Sequence, residues 1–344
     1  MTRYLIFLSC IFGIILSFSS CQRQQNEVGF YYWKTNYKQD TLSKLFVSEL
    51  QARKLYLRMM DIDFDESKTQ GIPIAPINFT DSLPTDQEVV PVVFINQRIF
   101  LGLDSFAIRA LAHKIEPFIR AKLAQGGKGT FSEIQFDCDW TRSSRDPFFY
   151  FLDFLKTIPA LADVSLSSTL RLHQIKNIQT AGIPPVDRVT LMCYNMGNLR
   201  KFGAQNSILN QQDLALYLKD VLKNYPLKID IALPLFNWFV LFRGNQYIGI
   251  SKKLTVAMLA DESLFSKNPN SSMYLLKKDL PAAGLKKNDV VRYESVQIDD
   301  LKATTKFLKK ELKTSPENLL FYHLDPEVLG NFTYEELHQI STSL

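Results

Sequence analysis

The sequence predicts an α/β protein whose strands close into a (β/α)8 TIM barrel. Three observations support this prediction: eight strand-like runs recur along the chain, most are followed by a segment with helical periodicity, and the runs are apolar almost throughout. Continuous apolar strands that alternate with helices are typical of a parallel sheet covered on both faces, and eight repeats favour closure. A doubly wound open sheet is the alternative, but no glycine-rich phosphate loop follows the first run.

The spacing of the runs leaves room for a crossover after each strand, as parallel pairing requires. The runs are Val28 to Trp33, Lys54 to Ile62, Val89 to Ile95, Ser132 to Trp140, Leu166 to His173, Arg188 to Met196, Leu227 to Phe236 and Asn318 to Leu324. Helical periodicity predicts amphipathic helices over Thr41 to Arg53, Ser105 to Ala124, Pro147 to Lys156, Gln211 to Asn224 and Ile298 to Leu312. Asp40 and Ser105 are the predicted N-caps of the first two helices.

Two regions depart from the repeat. Residues 66–88 predict a long loop or a decorated crossover after the second strand. Residues 239–297 predict an insertion between the seventh strand and the last helix, within the barrel domain. Inside the insertion, two strand-like runs flank Arg243-Gly244-Asn245, which predicts a β-hairpin with a Gly-Asn turn.

The N-terminus predicts a lipoprotein signal. Arg3 precedes an uncharged run over residues 5–18, which is shorter than the roughly 20 residues that a membrane-spanning helix needs. Residues 18–21, Phe-Ser-Ser-Cys, resemble a lipobox, in which a diacylglycerol is attached to the cysteine. The alternative is a signal cleaved elsewhere that leaves Cys21 free.

These signals divide the chain into a signal peptide over 1–20, a lipidated tether over 21–27 and one barrel domain over 28–344. We expect the exported protein to be held on a bacterial membrane, in particular the outer membrane, through the lipid on Cys21. The membrane is therefore one expected partner.

Composition excludes several other classes of function. The 344 residues carry a formal net charge of +5, and Lys and Arg are spread along the chain, so the footprint of a nucleic-acid binder is missing. Cys138 and Cys193 are expected to be buried free thiols, with a bridge between them as the alternative. The four histidines form no spaced cluster with cysteine, so no metal or other cofactor is expected. A metal site of His173, Asp137 and Asp61 is the weaker alternative.

Polar and aromatic residues close most of the runs, and in barrels of this type the active site gathers at the strand ends. The candidate ligand-binding residues are Tyr32, Trp33, Arg58, Asp63, Trp140, Arg171, His173, Gln174, Tyr194, Asn195, Trp238, Tyr322 and Asp325, with Lys34, Asn237 and His323 at the same ends. Sugar rings stack on aromatic faces while their hydroxyls bond to charged and amide groups, so this composition favours a carbohydrate site. Alternatively, these residues pack under loops or cap helices.

Two carboxylates in the fourth run are the strongest candidates for chemistry. Asp137 and Asp139 alternate with Cys138, so strand geometry sends both carboxylates to one face, which in a barrel is the lumen. Close carboxylates repel when both are ionised, which raises one pKa and suits proton transfer. With Asp61 they form the predicted catalytic set. The alternative is a fixed pair held by Arg58 or Arg171 that serves structure alone.

The fourth run also resembles a known family. Phe136-Asp137-Cys138-Asp139-Trp140 is similar to the fourth-strand signature of family 18 glycoside hydrolases, in which three Asp residues precede a catalytic Glu at fixed spacing. The four places correspond here to Ile134, Asp137, Asp139 and Thr141. Thr141 therefore stands where that family has the acid that protonates the glycosidic oxygen, and substrate-assisted hydrolysis does not carry over to it.

Two further strands share the resemblance. Met192, Tyr194 and Asn195 are similar to the sixth-strand Met, Tyr and Asp of that family. Tyr322 and Asp325 are similar to its final-strand Trp and a following Asp. The resemblance implies a barrel with a sugar-like ligand. Over its whole length the chain also resembles a Bacteroidetes-type group of bacterial lipoproteins with this barrel.

Three hypotheses for the function remain open. The first is a glycosidase-like enzyme with Asp137 or Asp139 as acid or stabiliser and Asp61, Asp63 or Asp325 as the second carboxylate. The second is a glycan-binding protein that has lost the catalytic glutamate. The third is a structural envelope lipoprotein in which loops cover the aromatic residues at the strand ends. A carbohydrate is the expected ligand or substrate in the first two.

Overall fold

Eight parallel strands close into a barrel in the computed structural model, which describes residues 26–67, 69–267 and 271–344. In chain order the strands and helices are β1 (Glu27–Tyr32), β2 (Asn36–Tyr37), α1 (Thr41–Glu49), β3 (Lys54–Phe64), β4 (Gly71–Ile74), β5 (Asn78–Phe79), β6 (Glu88–Ile95), α2 (Ile99–Gly102), α3 (Ser105–Gln125), β7 (Glu133–Asp137), α4 (Arg145–Leu155), β8 (Ser165–Arg171), α5 (Leu172–Lys176), α6 (Ile178–Ala181), β9 (Arg188–Met192), α7 (Gln211–Leu218), β10 (Lys228–Pro234), β11 (Trp238–Arg243), β12 (Gln246–Ser251), α8 (Val256–Ala260), β13 (Phe265–Lys267), β14 (Met273–Leu276), β15 (Val290–Glu294), α9 (Ile298–Glu311), β16 (Asn318–Tyr322), α10 (Pro326–Leu329) and α11 (Tyr334–Ser343).

The barrel confirms the predicted fold class. Its strands follow the order β1, β16, β10, β9, β8, β7, β6 and β3, and pairing of β3 with β1 closes the ring. All eight predicted runs form barrel strands. The fourth and sixth strands end earlier than predicted, at Asp137 and Met192, because ladder pairing stops there and the chain turns outward to form the rim.

Side chains inside the barrel are largely polar and satisfy one another. The hydroxyl of Tyr31 donates to Gln135 at 2.6 Å, and the amide of Gln135 donates to Thr190 at 3.0 Å. Nearer the N-terminal end, Ser167 donates to Glu133 at 2.6 Å and Lys54 pairs with the same carboxylate at 3.6 Å. Buried polar groups are stable only when they find such partners, so this network, which we call the lumen network, rigidifies the barrel.

Several helix boundaries differ from the prediction for local reasons. Asp40 caps α1 as predicted, but α3 is capped by Asp104, whose carboxylate accepts from the backbone of Ala107, and not by Ser105. Helix α1 stops before Gln51, which has a φ of 48°. Helix α7 stops at Leu218 and not at residue 224, because Asp220 has a φ of 63° and a short 3₁₀ turn follows. A left-handed residue cannot continue an α-helix.

The predicted insertion forms a small antiparallel sheet in the order β12, β11, β15, β14 and β13. Its first two strands are the predicted hairpin, and Gly244 and Asn245 both have positive φ, as a tight two-residue turn requires. The insertion precedes α9, which is not the last helix, because α10 and α11 follow β16. The described residues between β3 and β6 carry the short strands β4 and β5.

A buried ion pair fastens the insertion to the barrel. Arg292 and Glu294 on β15 are fully buried and bond to each other at 2.6 Å. The guanidinium donates to the backbone carbonyls of Leu199, Lys201 and Gly203, in the loop after β9. The insertion therefore has a defined position beside the strand ends.

Other predictions concern the cysteines and the N-terminus. Cys138 and Cys193 are buried free thiols, as predicted. Among the helices of the described residues, none is both long and apolar enough to cross a bilayer. The predicted signal peptide and Cys21 lie outside the described residues.

Candidate functional site

A cleft of about 980 Å³ lies at the C-terminal ends of the barrel strands, with the insertion forming one of its walls. The predicted site residues that line it are Trp33, Asp61, Asp137, Arg171, Tyr194, Asn195, Trp238, Tyr322 and Asp325. They come from seven different segments of the chain. Strand order in the closed sheet therefore brings together residues that are up to about 290 positions apart in sequence.

Aromatic rings form a cluster in the cleft. Tyr322 is at its centre, with ring centroids 5.3 Å from Tyr194, 5.6 Å from Phe236 and 5.7 Å from Trp33. Trp238 extends the cluster, 5.3 Å from Phe236. We call these five residues the aromatic cluster. Such surfaces bind the apolar faces of sugar rings and leave the ring edges to polar groups.

Asp137 is the most perturbed carboxyl group of the cleft. It is almost completely buried, and the hydroxyl of Thr169 donates to it at 2.6 Å. Burial raises its pKa to about 6, Arg171 opposes this rise and Asp139 adds to it. A carboxyl group with such a pKa is partly protonated near neutral pH, which is a property of general acids.

Two other carboxylates of the cleft, and Asp139 next to it, are held in ion pairs. Asp139 accepts from Arg171 at 2.5 and 3.3 Å in a bidentate arrangement. Asp61 pairs with Arg58 at 2.6 Å. Asp325 pairs with Lys34 at 2.9 Å. Asp137 and Asp139, which share one strand face in sequence, thus differ in environment: one is buried against a hydroxyl, the other is half-exposed against a guanidinium.

Three buried polar atoms in the cleft have no partner among the described residues. They are the Tyr194 hydroxyl, the Trp238 Nε1 and the His323 Nδ1. Buried polar atoms in native proteins nearly always find a partner, from protein, water or ligand. These three atoms offer two donors and one further nitrogen to whatever enters the cleft.

The remaining predicted site residues are Tyr32, Arg58, Asp63, Asp139, Trp140, His173 and Gln174, and they do not line the cleft. Arg58 and Asp139 act on it only through their ion-pair partners. Asp63 is held by Arg98 at 2.5 Å. His173 is exposed and also lies outside the cleft. The expectation that every strand-end residue converges on one site is thereby corrected.

Alternation along the strands explains two of these placements. Tyr32 points away from the lumen, opposite to Tyr31, and its hydroxyl donates to the carbonyl of Asn36 at 2.7 Å. Trp140 lies on the outer side with Cys138, where its indole donates to the carbonyl of Ala181 at 2.8 Å. Gln174 donates to the carbonyl of Trp140 at 3.1 Å and holds that loop. The two-residue period could have excluded Tyr32 and Trp140 from the sequence alone.

Other cleft residues were missing from the predicted site. Lys34, Asn237 and His323 stand at the predicted strand ends, so their positions had a signal. The wall of the insertion had none, and it consists of Ile250, Ser251, Lys252, Leu254, Thr255 and Val256. Glu327 and Asn331 come from the segment after β16. Their place in the cleft depends on how the insertion and the C-terminal segment fold back.

Thr141 bears directly on hydrolysis. It is exposed, its hydroxyl lies 3.4 Å from that of Ser144, and it is not among the residues that line the cleft. Thr141 therefore contributes no acidic group to the cleft. Within residues 26–67, 69–267 and 271–344, no group of three or more His, Cys, Asp or Glu is arranged to hold a metal ion.

Solved structures with this fold are carbohydrate-active enzymes. A spore cortex-lytic enzyme, SleL, from Bacillus megaterium is 12% identical, with a TM-score of 0.55 over 94% of this chain and 75% of that one. A mutant GH18 chitinase from Cycas revoluta in complex with (GlcNAc)4 is also 12% identical, with a TM-score of 0.53 over 92% and 98%. The chitinase from Chromobacterium violaceum gives the same values.

These likenesses show that the chain folds as a barrel like that of these glycoside hydrolases. At 12% identity they show the fold alone. No protein-family model and no curated protein matches the sequence.

Proposed function

We propose that this protein binds a glycan built of N-acetylhexosamine units in the cleft above the barrel, without cleaving it. One observation carries the proposal: the aromatic cluster lines the 980 Å³ cleft, and three of the lining residues hold buried polar atoms that have no partner among the described residues. A sugar chain supplies both an apolar ring face, which stacks on the aromatic cluster, and hydroxyl groups, which form hydrogen bonds with the polar atoms. The glycans bound by chitinases with this fold support the choice of sugar class.

The absence of an acid at Thr141 favours binding over hydrolysis. Cleavage of a glycosidic bond needs a proton donor beside the leaving oxygen. Asp61, Asp139 and Asp325 are each bound to a cationic side chain, Arg58, Arg171 and Lys34 respectively.

One observation favours hydrolysis as a second candidate function. The pKa of Asp137 is raised to about 6, so this carboxyl group could donate a proton at mildly acidic pH. Its burial against Thr169 leaves little room for a leaving group to approach. Release of reducing sugar ends, abolished by Asp137→Asn, would establish this candidate and overturn the proposal of binding without cleavage.

Binding is tested with the full chain, purified in a detergent that has no sugar headgroup. Two of the three tryptophans, Trp33 and Trp238, line the cleft, so binding of N-acetylchitotetraose should change tryptophan fluorescence. We expect saturable binding without new reducing ends. Trp33→Ala should weaken binding at least about tenfold, because it removes a stacking surface worth roughly 1–2 kcal/mol.

Phe106→Ala is the matched control for that experiment. Phe106 is 73% exposed on α3, outside the cleft, so its removal should leave binding unchanged. Saturable binding of maltotetraose but not of N-acetylchitotetraose would overturn the sugar class. The absence of binding to either sugar would overturn the proposal as a whole.

We further propose that Cys21 is lipidated and holds the protein on the outer membrane. β1 starts at Glu27, at the end of the barrel opposite the cleft. With this short tether, at most about 25 Å for seven residues, the cleft of an upright barrel would open away from the anchoring membrane. This favours a glycan layer at some distance from the bilayer as the ligand.

Anchoring is tested by fatty-acid labelling and membrane fractionation in the native cell type. The full chain should incorporate a labelled fatty acid and sediment with outer membranes. Cys21→Ser should abolish the label and release the protein from the membranes. Labelling that survives Cys21→Ser would contradict the assignment of the lipid to this residue.

A further inference from the structure

A cluster of charged and titratable residues lies in the cleft beside the aromatic cluster. His323 follows β16 directly, and Asp325 caps α10 two residues later. Lys34 follows β1 and donates to the Asp325 Oδ2 at 2.9 Å. The His323 Nε2 lies 3.9 Å from the same oxygen. All three residues line the cleft.

The imidazole of His323 presents one nitrogen to Asp325 and leaves the other free. Its Nδ1 is buried and has no partner among the described residues. In a neutral imidazole whose N–H lies on the carboxylate side, Nδ1 carries the lone pair and can only accept a hydrogen bond. A bound sugar offers hydroxyl and amide N–H donors to such an atom.

Building on the proposed glycan site, we propose that His323, flanked by Lys34 and Asp325, forms a subsite that accepts a hydrogen bond from a sugar hydroxyl or N–H group. Binding of the sugar therefore requires the neutral imidazole. Glycan affinity should be full at neutral pH and should fall in acid, as His323 becomes charged.

The surroundings of His323 support the neutral form. Burial lowers its pKa; nearby Asp325 opposes this effect and Lys34 adds to it. Tyr322, whose ring centroid lies 5.1 Å away, is the neighbouring aromatic residue, and Glu327 lines the same cleft. A sugar that seals the cleft removes further water from the imidazole, so the bound state holds fewer protons than the free state. Affinity then rises with pH and levels off above the pKa of the free protein.

The pKa of Asp137 is raised to about 6 and this residue also lines the cleft, so the test must separate the two groups. The probe is N-acetylchitotetraose, titrated into the full chain between pH 5 and pH 8. His323→Asn keeps a polar atom near the position of Nδ1 but cannot titrate in this range. Asp137→Asn removes the competing titration. His173→Asn is the matched control, because His173 also has a lowered pKa but lies outside the cleft.

We expect the affinity of the unchanged protein to fall about three- to tenfold between pH 7.5 and pH 5, the size of one hydrogen bond. The fall should persist in Asp137→Asn and His173→Asn and disappear in His323→Asn, and the two histidine variants should give unchanged thermal unfolding curves at pH 7.5. His323→Ala should bind more weakly than His323→Asn at neutral pH.

Three results would overturn this inference. The first is an affinity that does not change with pH, and the second is a pH dependence that survives His323→Asn. The third is a dependence that vanishes only in Asp137→Asn, which would assign it to the carboxyl group. The absence of sugar binding at every pH would instead overturn the proposed glycan site itself, so the two failures are distinguishable.

Discussion

Two polar regions of the barrel, one above the other, differ in whether their hydrogen bonds are complete. In the lumen network, Tyr31, Gln135 and Thr190 bond to one another, and each buried polar atom has a partner there. In the cleft, the polar atoms of Tyr194, Trp238 and His323 are buried without partners. A complete network stabilises the fold, whereas an incomplete one is available to a ligand. The difference separates structural from functional polar residues in a barrel where both kinds face inward.

The largest expected effect is the loss of stability when the lumen network is broken. Gln135→Leu removes the acceptor of the Tyr31 hydroxyl and the donor to Thr190, leaving buried groups unsatisfied. We expect the free energy of unfolding to fall by about 3 kcal/mol, measured by urea denaturation. Gln212→Leu, at an exposed position on α7, should change it by less than about 0.5 kcal/mol. Equal effects of the two substitutions would refute a structural role for the network.

Asp137 lies at the boundary between the two regions and makes stability depend on pH. Its folded-state pKa of about 6 is above the unfolded value of about 3.9, so the folded protein holds a proton that the unfolded chain releases. Stability should therefore fall as the pH rises from about 4 through 6, by on the order of 2 kcal/mol. Asp137→Asn should remove this fall and be the more stable protein at pH 8. A stability that rises over the same interval would contradict the raised pKa.

The same substitution in both regions should have opposite consequences. Tyr31→Phe removes a satisfied hydroxyl and should cost about 1 kcal/mol of stability. Tyr194→Phe removes an unpartnered hydroxyl and should leave stability unchanged or slightly higher, while weakening binding of N-acetylchitotetraose about fivefold. Urea denaturation and fluorescence titration measure the two effects. Loss of stability in Tyr194→Phe would mean that its hydroxyl has a structural partner.

The smallest expected effect concerns the pair of Asp139 and Arg171. Asp139 is 47% exposed, so solvent screens the pair and Asp139→Asn should cost less than about 1 kcal/mol. The substitution removes the negative charge of Asp139, which raises the pKa of Asp137. It also frees Arg171, whose positive charge lowers the pKa of Asp137. The midpoint of the pH dependence of stability should therefore move to lower pH. A midpoint that stays in place would show that the two carboxyl groups do not interact.

Local sequence patterns predicted the strands of the barrel well and the ends of the helices less well. Each of the eight predicted runs became a barrel strand, because its outward face is apolar and buried, while the polar side chains of its inward face bond to one another in the lumen. Boundaries failed where single residues adopt a left-handed backbone, as at Gln51 and Asp220. Such conformations leave little trace in the composition.

The candidate site was only partly predictable for a different reason. The cleft lies at the strand ends, and nine of the predicted residues line it. Tyr32 and Trp140 were included because their residue types suit sugars, although alternation along the strand turns them outward. The insertion wall, from Ile250 to Val256, could not be found, because its contact with the cleft depends on the buried pair of Arg292 and Glu294.

The sequence by itself determined the closed barrel and the inserted hairpin, since these follow from hydrophobic period and turn chemistry. Tertiary structure alone decided which polar side chains find partners. Asp137 and Asp139 look equivalent in sequence, yet burial isolates one and a guanidinium holds the other. Hydrogen bonding and desolvation depend on neighbours that are distant along the chain, and only the folded barrel brings those neighbours together.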